Sequence, residues 1–522
     1  MDAKYQERVD HLQAVKEAAR LGGGPEKIQK LHSSGKLTAR ERIDYLLDPG
    51  SFMEFNLIIG HRDGLPADGC ISGFGQIDGR MVCVYSQDAT VKGGSIGPMH
   101  GYKMCRTVES ALDMGVPFIG LHDSPGARIP DMDQSRSVFG EALERNGGTI
   151  FYPNTQASGQ IPQISAIMGS CAGISVYSPA LTDFIFMVDK MSHMFITGPG
   201  TVGVVTGETI TKEELGGAQV HCKVSGVADR RFATEYELLE GIKELLSYIP
   251  SNGDEQPPMV DFQDDPDRYT DELTDIVPSA TNRAYDVRKA IICIVDGGHF
   301  FEIKPEFAPE IVVGFARLDS RSVGIVANQS AFLAGSLTVD SSDKQARFMR
   351  FCDCFNIPII MLVDTSAYLP GKDQEYLGII RHGAKVLYAL CECGVPRVAV
   401  VLRKAYGGGN LGMGVLPFQA GTDLMFYWPI TELGIMGAKA SVELFFGETI
   451  RNSPEPDKLR AHILSEYEDR YCNPMREAAY NPTIHDVIEP RETRRVLIRS
   501  LSFLSTKKRS PRYSKRHGNI PL

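Results

Sequence analysis

The chain has 522 residues, of which 43% are hydrophobic and 23% are charged, a composition typical of globular rather than disordered proteins. Its net charge of −10 argues against nucleic acid as the main partner, because phosphate binding needs a basic surface. No apolar run approaches the roughly 20 residues of a membrane helix, and the polar N-terminus lacks a signal-peptide core. The eleven cysteines lack the spacing of a zinc or redox site. We therefore expect a cytoplasmic protein with reduced thiols, no metal in this chain and no direct membrane insertion.

The first half of the chain predicts alternating strands and helices. Short apolar runs predict strands over 82–85, 117–121 and 161–168, and helical spacing marks 99–114. The last of these strands gives way to a glycine turn, Gly169-Ser-Cys-Ala-Gly173. Repeating strand–helix units imply an α/β fold, with mainly parallel sheets and outer helices.

The same order returns 241 residues later. Thirteen of 51 positions are identical when Gly73–Asp123 is laid on Gly314–Asp364, against about three expected by chance. The second copy predicts strands over 323–326, 358–362 and 395–402, a helix over 341–355 and a glycine turn over 407–410.

A stretch rich in turn formers and acids separates the two copies. It covers residues 249–281 and shows no hydrophobic periodicity. We therefore predict one domain over 1–255 and a second over 282–522, joined by a linker over 256–281.

The two glycine turns are the places where chemistry is expected. Ligands of α/β folds lie off the carboxyl ends of the strands, and bare N–H groups at a helix start suit an oxyanion. A glycine turn between a strand and a helix is nevertheless structural more often than catalytic. The sequence contains no HExxH, GxSxG or Walker pattern, and it offers no obvious side-chain nucleophile.

We expect the other polar residues that stand out in the sequence to have structural roles. Asp123 and Asp364 end matched strands, and we expect them to cap the segments that follow. Lys103 and Lys344 are expected on the outer faces of their helices. His193 and His382 are expected to be hydrogen-bonded structural histidines.

Several stretches resemble a known family, and together they cover nearly the whole chain. They include Gly35–Arg42, Gly93–Gly97, Asp123–Ile129, Tyr177–Val188, Glu214–Ala218, Asp373–Tyr376, Gly378–Lys385, Arg403–Gly408, Met436–Lys439 and His517–Leu522. They resemble the carboxyltransferase (β) subunits of propionyl-CoA and related acyl-CoA carboxylases, and the transcarboxylase large subunit.

The resemblance implies two tandem crotonase-like domains, with acyl-CoA bound by the N-terminal one and biotin by the C-terminal one. Carboxyl transfer would run from carboxybiotin on a separate carrier to the α-carbon, or a vinylogous carbon, of an acyl-CoA. Biotin carboxylase and a biotin carboxyl carrier protein, or a fused α subunit, would be the partners of a homo-hexamer built as a trimer of dimers. Carried over by motif, the catalytic oxyanion holes fall on Gly173 with Ile174 and on Gly408 with Gly409.

The resemblance also implies substrate-binding positions at Gly126, Ala127, Ala367 and Leu411. The chain departs from the family at residues near the two holes. The family commonly has glycine where Pro125 and Ile174 stand, Pro-Gly-Phe where Ser366-Ala367-Tyr368 stands, and an acid where Leu411 stands. Because of these substitutions, the resemblance does not determine which acyl group the chain binds. Two other interpretations remain: the carboxyltransferase chain of an acyl-CoA decarboxylase, and a non-catalytic assembly subunit.

Overall fold

The protein is represented by a computed structural model that describes residues 2–128, 150–260, 262–416, 420–508 and 519–521. The chain divides into two compact units, Met1–Glu255 and Gln256–Leu522. Residues 256–281 belong to the second unit and contribute Leu273 and Val277 to its core. Ile129, residues 509–516 with their four basic side chains, and half of the C-terminal family motif, namely His517, Gly518 and Leu522, lie outside the described residues.

The first unit is built on one sheet whose strand order follows the chain. Its strands are β1 Met53–Phe55, β2 Cys70–Ile77, β3 Arg80–Gln87, β4 Phe118–His122, β5 Gln163–Ile167, β7 Phe184–Val188 and β9 Arg230–Phe232. A separate parallel pair is formed by β6 Ser170–Ala172 and β8 His193–Phe195. The first three strands pair antiparallel, and every later pairing is parallel.

Helices connect these strands in the order that the repeating pattern predicts. Those of the described first unit are α1 Ala3–Arg20, α2 Pro25–Ser33, α3 Ala39–Leu46, α4 Pro98–Met114, α5 Phe151–Ala157, α6 Ile174–Leu181, α7 Pro199–Thr206, α8 Lys212–Gly216 and α9 Glu235–Tyr248. Helix α3 starts at a capping box formed by Thr38 and Glu41, and α4 stops at Gly115, whose φ of 63° suits a helix end.

The second unit repeats the plan with a sheet that also starts antiparallel and turns parallel. Its strands are β10 Phe300–Ile303, β11 Ile311–Leu318, β12 Arg321–Asn328, β13 Ile359–Thr365, β14 Arg397–Tyr406, β15 Leu424–Tyr427, β16 Glu432–Gly434 and β17 Asp486–Val487. Its core includes Trp428, which is fully buried and donates its indole N–H to the Thr493 hydroxyl at 3.0 Å.

Helices of the second unit again follow the strands. Those described are α10 Leu273–Ile276, α11 Val287–Ile294, α12 Val339–Cys354, α13 Lys372–Leu377, α14 Ile379–Glu392, α15 Gly407–Gly412, α16 Ala438–Arg451, α17 Pro456–Tyr471, α18 Pro474–Tyr480 and α19 Thr493–Leu504. The α/β class, the mainly parallel sheets and the positions of the predicted strands and helices are confirmed.

The placement of the two matched lysines is where the sequence-based expectation is wrong. Lys103 and Lys344 do not lie on outer helix faces, since they are 1% and 3% exposed. The Lys344 ammonium donates to four backbone carbonyl oxygens, those of Lys304, Phe307, Ala308 and Ile311, at 2.7 to 3.3 Å. An unbonded buried charge would be too costly, so the surrounding carbonyls explain the position.

Candidate active site

The first glycine turn follows the carboxyl end of β5. Gly173 has a φ of 59°, a left-handed conformation that glycine adopts without strain, and α6 begins at the next residue. Gly169 at the other end of the turn also has to be glycine, because a Cβ atom there would come within 1.9 Å of an Asp123 carboxylate oxygen. The turn is thus fixed by packing as well as by backbone conformation.

The two amides expected to form the first oxyanion hole differ in the structure. The Gly173 N–H donates to the carbonyl oxygens of Phe195 and Ile196, at 3.2 and 3.1 Å. Within the described residues the Ile174 N–H has no recorded acceptor, as expected for the first residue of a helix. The Ile174 side chain packs against the hydrophobic core of the first unit. The bare donor at this turn is therefore Ile174.

Gly126 lies against this turn, and the next residue, Ala127, forms a parallel bridge with Ile96. Gly126 has a φ of 105°, and a Cβ atom on it would approach the Ala172 carbonyl oxygen to 2.7 Å. The Gly126 carbonyl accepts from the Ile96 N–H at 2.8 Å. The next residue along, Arg128, is buried and pairs with Asp68 at 2.7 Å. The structure thus brings Gly126 beside the glycine turn of the first unit, and the substrate-binding role of Gly126 and Ala127 stays a prediction.

The second glycine turn starts helix α15 at the carboxyl end of β14. Gly407 has a φ of 51°, and the N–H groups of Gly408 and Gly409 have no recorded acceptor in the described part of the chain. A Cβ atom on Gly409 would come within 2.8 Å of the Ala367 carbonyl carbon. Leu411 follows in the same helix and is 40% exposed.

Ala367 occupies the position in the second unit that Gly126 holds in the first. Its carbonyl accepts from the Leu337 N–H at 2.9 Å, which matches the Ile96 to Gly126 bond, and the two bonds are related by the same offset of 241 residues. The structure therefore places Gly126 and Ala367 each against the glycine turn of its own unit.

Asp123 and Asp364 are members of buried ion pairs, and the expectation that they act as caps is wrong. Asp123 accepts from Lys36 and Arg42, both at 3.1 Å, and Arg42 also pairs with Glu235. Asp364 pairs with the fully buried Arg403 at 2.9 Å. Their cations come from distant segments, and a charge buried at a strand end needs a partner of opposite charge. Arg42 also donates to the Met168 carbonyl just after β5, and Arg403 lies in β14, so these ion pairs hold the chain next to the two glycine turns.

Three buried polar atoms near the second turn were not found by sequence reasoning. The Tyr368 hydroxyl, the Asn410 Oδ1 and the Gln345 Oε1 have no hydrogen-bond partner in the described structure. Burial raises the pKa of Tyr368 to about 12, so the phenol stays protonated. The sequence did contain one sign of an added polar group at this site, because Tyr368 stands where the resembled family has phenylalanine.

The histidines behave as expected. His193 lies between the Ser170 hydroxyl at 3.1 Å and the Glu213 carboxylate at 3.0 Å, and burial lowers its pKa. His382 hydrogen-bonds Asp343 at 2.8 Å. In the described residues no group of three or more His, Cys, Asp or Glu side chains could hold a metal ion, and no helix there is long and apolar enough to cross a membrane.

Comparisons with known proteins agree with this geometry. The carboxyl transferase domain family matches residues 30–520. The propionyl-CoA carboxylase carboxyltransferase subunit of Haloferax mediterranei is 48% identical, over 99% of this chain and 99% of that protein. The methylmalonyl-CoA decarboxylase subunit alpha of Propionigenium modestum is 43% identical, over 99% of each. A crystal structure of transcarboxylase 12S with methylmalonyl-coenzyme A and methylmalonic acid bound superposes with a TM-score of 0.92 at 43% identity, over 99% of this chain and 98% of that one.

The two repeats with their turns at the strand ends define an α/β enzyme of the crotonase-like fold. The chain belongs to the carboxyl transferase family and is a carboxyltransferase of the biotin-dependent acyl-CoA carboxylases. The comparisons do not favour a non-catalytic assembly subunit or a decarboxylase chain, although a decarboxylase subunit is among the relatives.

Proposed function

We propose that the chain carboxylates a short-chain acyl-CoA, with the first unit binding the acyl-CoA and the second binding biotin from a separate carrier protein. Support for the acyl-CoA comes from the names of its relatives and from the methylmalonyl-coenzyme A bound to transcarboxylase 12S. The observation that carries the proposal is the pair of glycine turns at the carboxyl ends of β5 and β14, where the N–H groups of Ile174, Gly408 and Gly409 have no acceptor among the described residues.

In the first unit, Ile174 is the proposed donor to the thioester oxygen. The charge on that oxygen grows when the α-carbon loses its proton, so a fixed N–H stabilises the transition state more than the ground state. Gly173 aims this donor through its positive φ, and its own N–H can serve only if it leaves the Phe195 and Ile196 carbonyls. Gly126 and Ala127 form the adjacent wall for the acyl group.

In the second unit, the residues present fit a ureido group. Such a group has a carbonyl that accepts and N–H groups that donate. The bare amides of Gly408 and Gly409 can donate to the carbonyl, while the unpaired Asn410 Oδ1 and Tyr368 hydroxyl can accept. Bound biotin would supply the carboxyl group. Ala367 and Leu411 border the same turn, and we assign them to its binding surface.

The test of this function is a transfer assay on a matched pair of variants. The purified chain is incubated with carboxybiotin and a panel of acyl-CoAs that begins with propionyl-CoA. Ile174→Pro removes the amide donor but leaves the helix intact, because proline is tolerated at the first helical position. We expect kcat to fall by about 10²- to 10³-fold, the usual cost of one oxyanion donor.

The control is Ile174→Ala, which shortens the same side chain and keeps the N–H group. It should retain kcat within about tenfold and change the preference among acyl-CoAs. Circular dichroism checks that both variants fold. Equal losses in the two variants would show that the side chain matters rather than the amide, and no transfer to any acyl-CoA would remove the proposal altogether.

We also propose that the chain forms a homo-hexamer that works with biotin carboxylase and a biotin carrier in the cytoplasm. A hexamer is reported for transcarboxylase 12S. Exposed apolar side chains on α16, among them Leu444 at 63% and Phe445 at 55%, would be covered by association. All eleven cysteines are free, which suits a reducing compartment.

A further inference from the structure

A cavity of about 390 Å³ lies at the amino ends of the central strands of the second unit. Arg321 begins β12, while Pro358 and Pro396 directly precede β13 and β14, and all three residues line the cavity. The glycine turn of this unit follows the opposite end of β14. The cavity is therefore distinct from the proposed biotin surface.

The cavity combines apolar walls with positive charge. Apolar side chains from four segments line it, namely Pro257, Met259, Pro358, Val395, Pro396, Leu501 and Leu504. Lys507 also lines it, but its ammonium is already held by Asp423 at 2.9 Å and by the Val395 carbonyl at 3.0 Å. The Arg321 guanidinium has no hydrogen bond or ion pair to any described residue. An unneutralised guanidinium beside apolar walls favours an anion with an apolar body.

The equivalent arginine of the first unit is hydrogen-bonded. Arg80, which matches Arg321 in the repeat, donates to the Leu246 carbonyl at 2.5 Å near the end of α9 and to the Ser251 hydroxyl at 3.3 Å. At the end of α19, the last helix among the described residues of the second unit, the Leu504 carbonyl accepts from the Lys507 N–H at 2.9 Å. Among the described residues, Arg321 makes no hydrogen bond to the end of α19, and the cavity lies between them.

We propose that this cavity binds a small amphipathic organic acid, whose carboxylate pairs with Arg321 and whose chain lies on the apolar walls. A guanidinium presents two parallel N–H groups that match the two oxygens of a carboxylate. The volume falls in the range of small-molecule sites. The ligand would provide for Arg321 what the end of α9 provides for Arg80.

Hexanoate and its neutral isostere hexanamide test the proposal on the full-length protein. Both are titrated in the presence of saturating propionyl-CoA and without carboxybiotin, so that the acyl-CoA site is filled, and are followed by saturation-transfer NMR and thermal unfolding. We expect hexanoate to bind and raise Tm, and hexanamide to bind at least about tenfold more weakly. Arg321→Gln should weaken hexanoate by about tenfold or more, since a charge-assisted bond is lost, whereas Arg321→Lys should keep part of the affinity.

Two further variants make the result specific. Arg62→Gln removes the same charge from an exposed position of the first unit and should leave hexanoate binding unchanged. Met259→Trp, at a residue 66% exposed on the cavity wall, should block binding without touching the core. Carboxyl transfer should be unaffected by all of these variants. The proposal is overturned if hexanoate does not bind, if hexanamide binds equally well, or if Arg321→Gln and Arg62→Gln bind alike.

Discussion

At the scale of single residues, Lys344 and Lys103 occupy equivalent positions in the two units but differ in how many hydrogen bonds their ammonium groups make. Burial lowers the pKa of Lys344 to about 7, and four backbone carbonyls offset that cost. Lys103 occupies the same place in the first unit but has one recorded acceptor, the Ala67 carbonyl at 3.4 Å. The two lysines thus form an internal comparison of one substitution in two settings.

Lys344→Met should lower the free energy of unfolding by about 3 kcal/mol or more, because it leaves several buried carbonyls without a donor. Lys103→Met should cost about 1 kcal/mol, since it frees one weakly bonded carbonyl. Urea denaturation of both variants measures the difference. Equal midpoints would contradict the role assigned to the carbonyls around Lys344.

Two buried histidines predict sensitivity to acid. Burial lowers the pKa of His100 and of His122 to about 3, against an ordinary value near 6.5. The His100 contacts suit a neutral ring, which donates to the Asp68 carbonyl and accepts from the Gln87 amide, both at 3.1 Å. In the unfolded chain these two histidines bind protons below about pH 6.5, whereas in the folded protein they stay neutral until about pH 3. The free energy of unfolding therefore falls as the pH is lowered from about 6.5 to about 3.

Each histidine should contribute a slope of about 1.4 kcal/mol per pH unit within this window. The double variant His100→Asn with His122→Gln keeps a hydrogen-bonding group near each ring nitrogen in use but cannot titrate. Its unfolding free energy, measured from about pH 7 to about pH 4, should therefore fall less steeply than that of the unchanged protein. If the unfolding free energies of the variant and of the unchanged protein fell in parallel with pH, groups other than these histidines would be responsible for the acid sensitivity.

At the scale of elements, the first glycine turn depends on what packs against it. A methyl group at Gly169 would meet the Asp123 carboxylate at 1.9 Å and the Lys36 ammonium at 2.5 Å. These atoms belong to the ion pairs that also hold Arg42 and Glu235. The glycine turn before α6 is therefore packed against a charge network assembled from three segments, residues 36–42, Asp123 and Glu235.

Gly169→Ala should destabilise the protein by about 3 kcal/mol or more, because it forces a buried ion pair apart. Gly200→Ala is the matched control. A methyl group added at Gly200, which lies in α7, would meet no neighbouring atom within 4 Å, so alanine there should be neutral or stabilising by up to about 1 kcal/mol. Thermal unfolding of the pair decides whether packing or helix propensity dominates at these glycines.

At the scale of the whole molecule, exposed apolar side chains mark surfaces that a monomer does not cover. Leu444, Phe445 and Phe446 are consecutive on α16 and are 63%, 55% and 39% exposed. Scattered apolar residues are ordinary on a surface, but a contiguous group usually marks an interface. This group supports the proposed hexamer.

The double variant Leu444→Glu with Phe445→Glu should shift the assembly to smaller species, because association would then bury unpaired charges. Mass photometry measures the change in particle mass. Exposed Tyr5, at 60%, lies at the start of α1 and provides a control, Tyr5→Glu. A hexamer that survives the double variant would exclude α16 from the interface.

Much of the fold could be predicted from the sequence, because its signals are local. Apolar runs and helical spacing within a few residues indicate strand β13 and helix α4, and the offset of 241 residues reveals the duplication directly. The glycine turns are also visible, since positive φ angles leave glycine as the residue of choice.

Only the tertiary structure determines which polar and charged groups around those turns have hydrogen-bond or ion-pair partners. Arg42 reaches Asp123 across 81 residues and Glu235 across 193, a pairing that no local pattern encodes. The same holds for the Gly173 amide, which is occupied by carbonyls at the end of β8, and for the burial of Lys344. Repetition and periodicity are properties of the chain, whereas desolvation and partnership depend on segments that meet only in the fold.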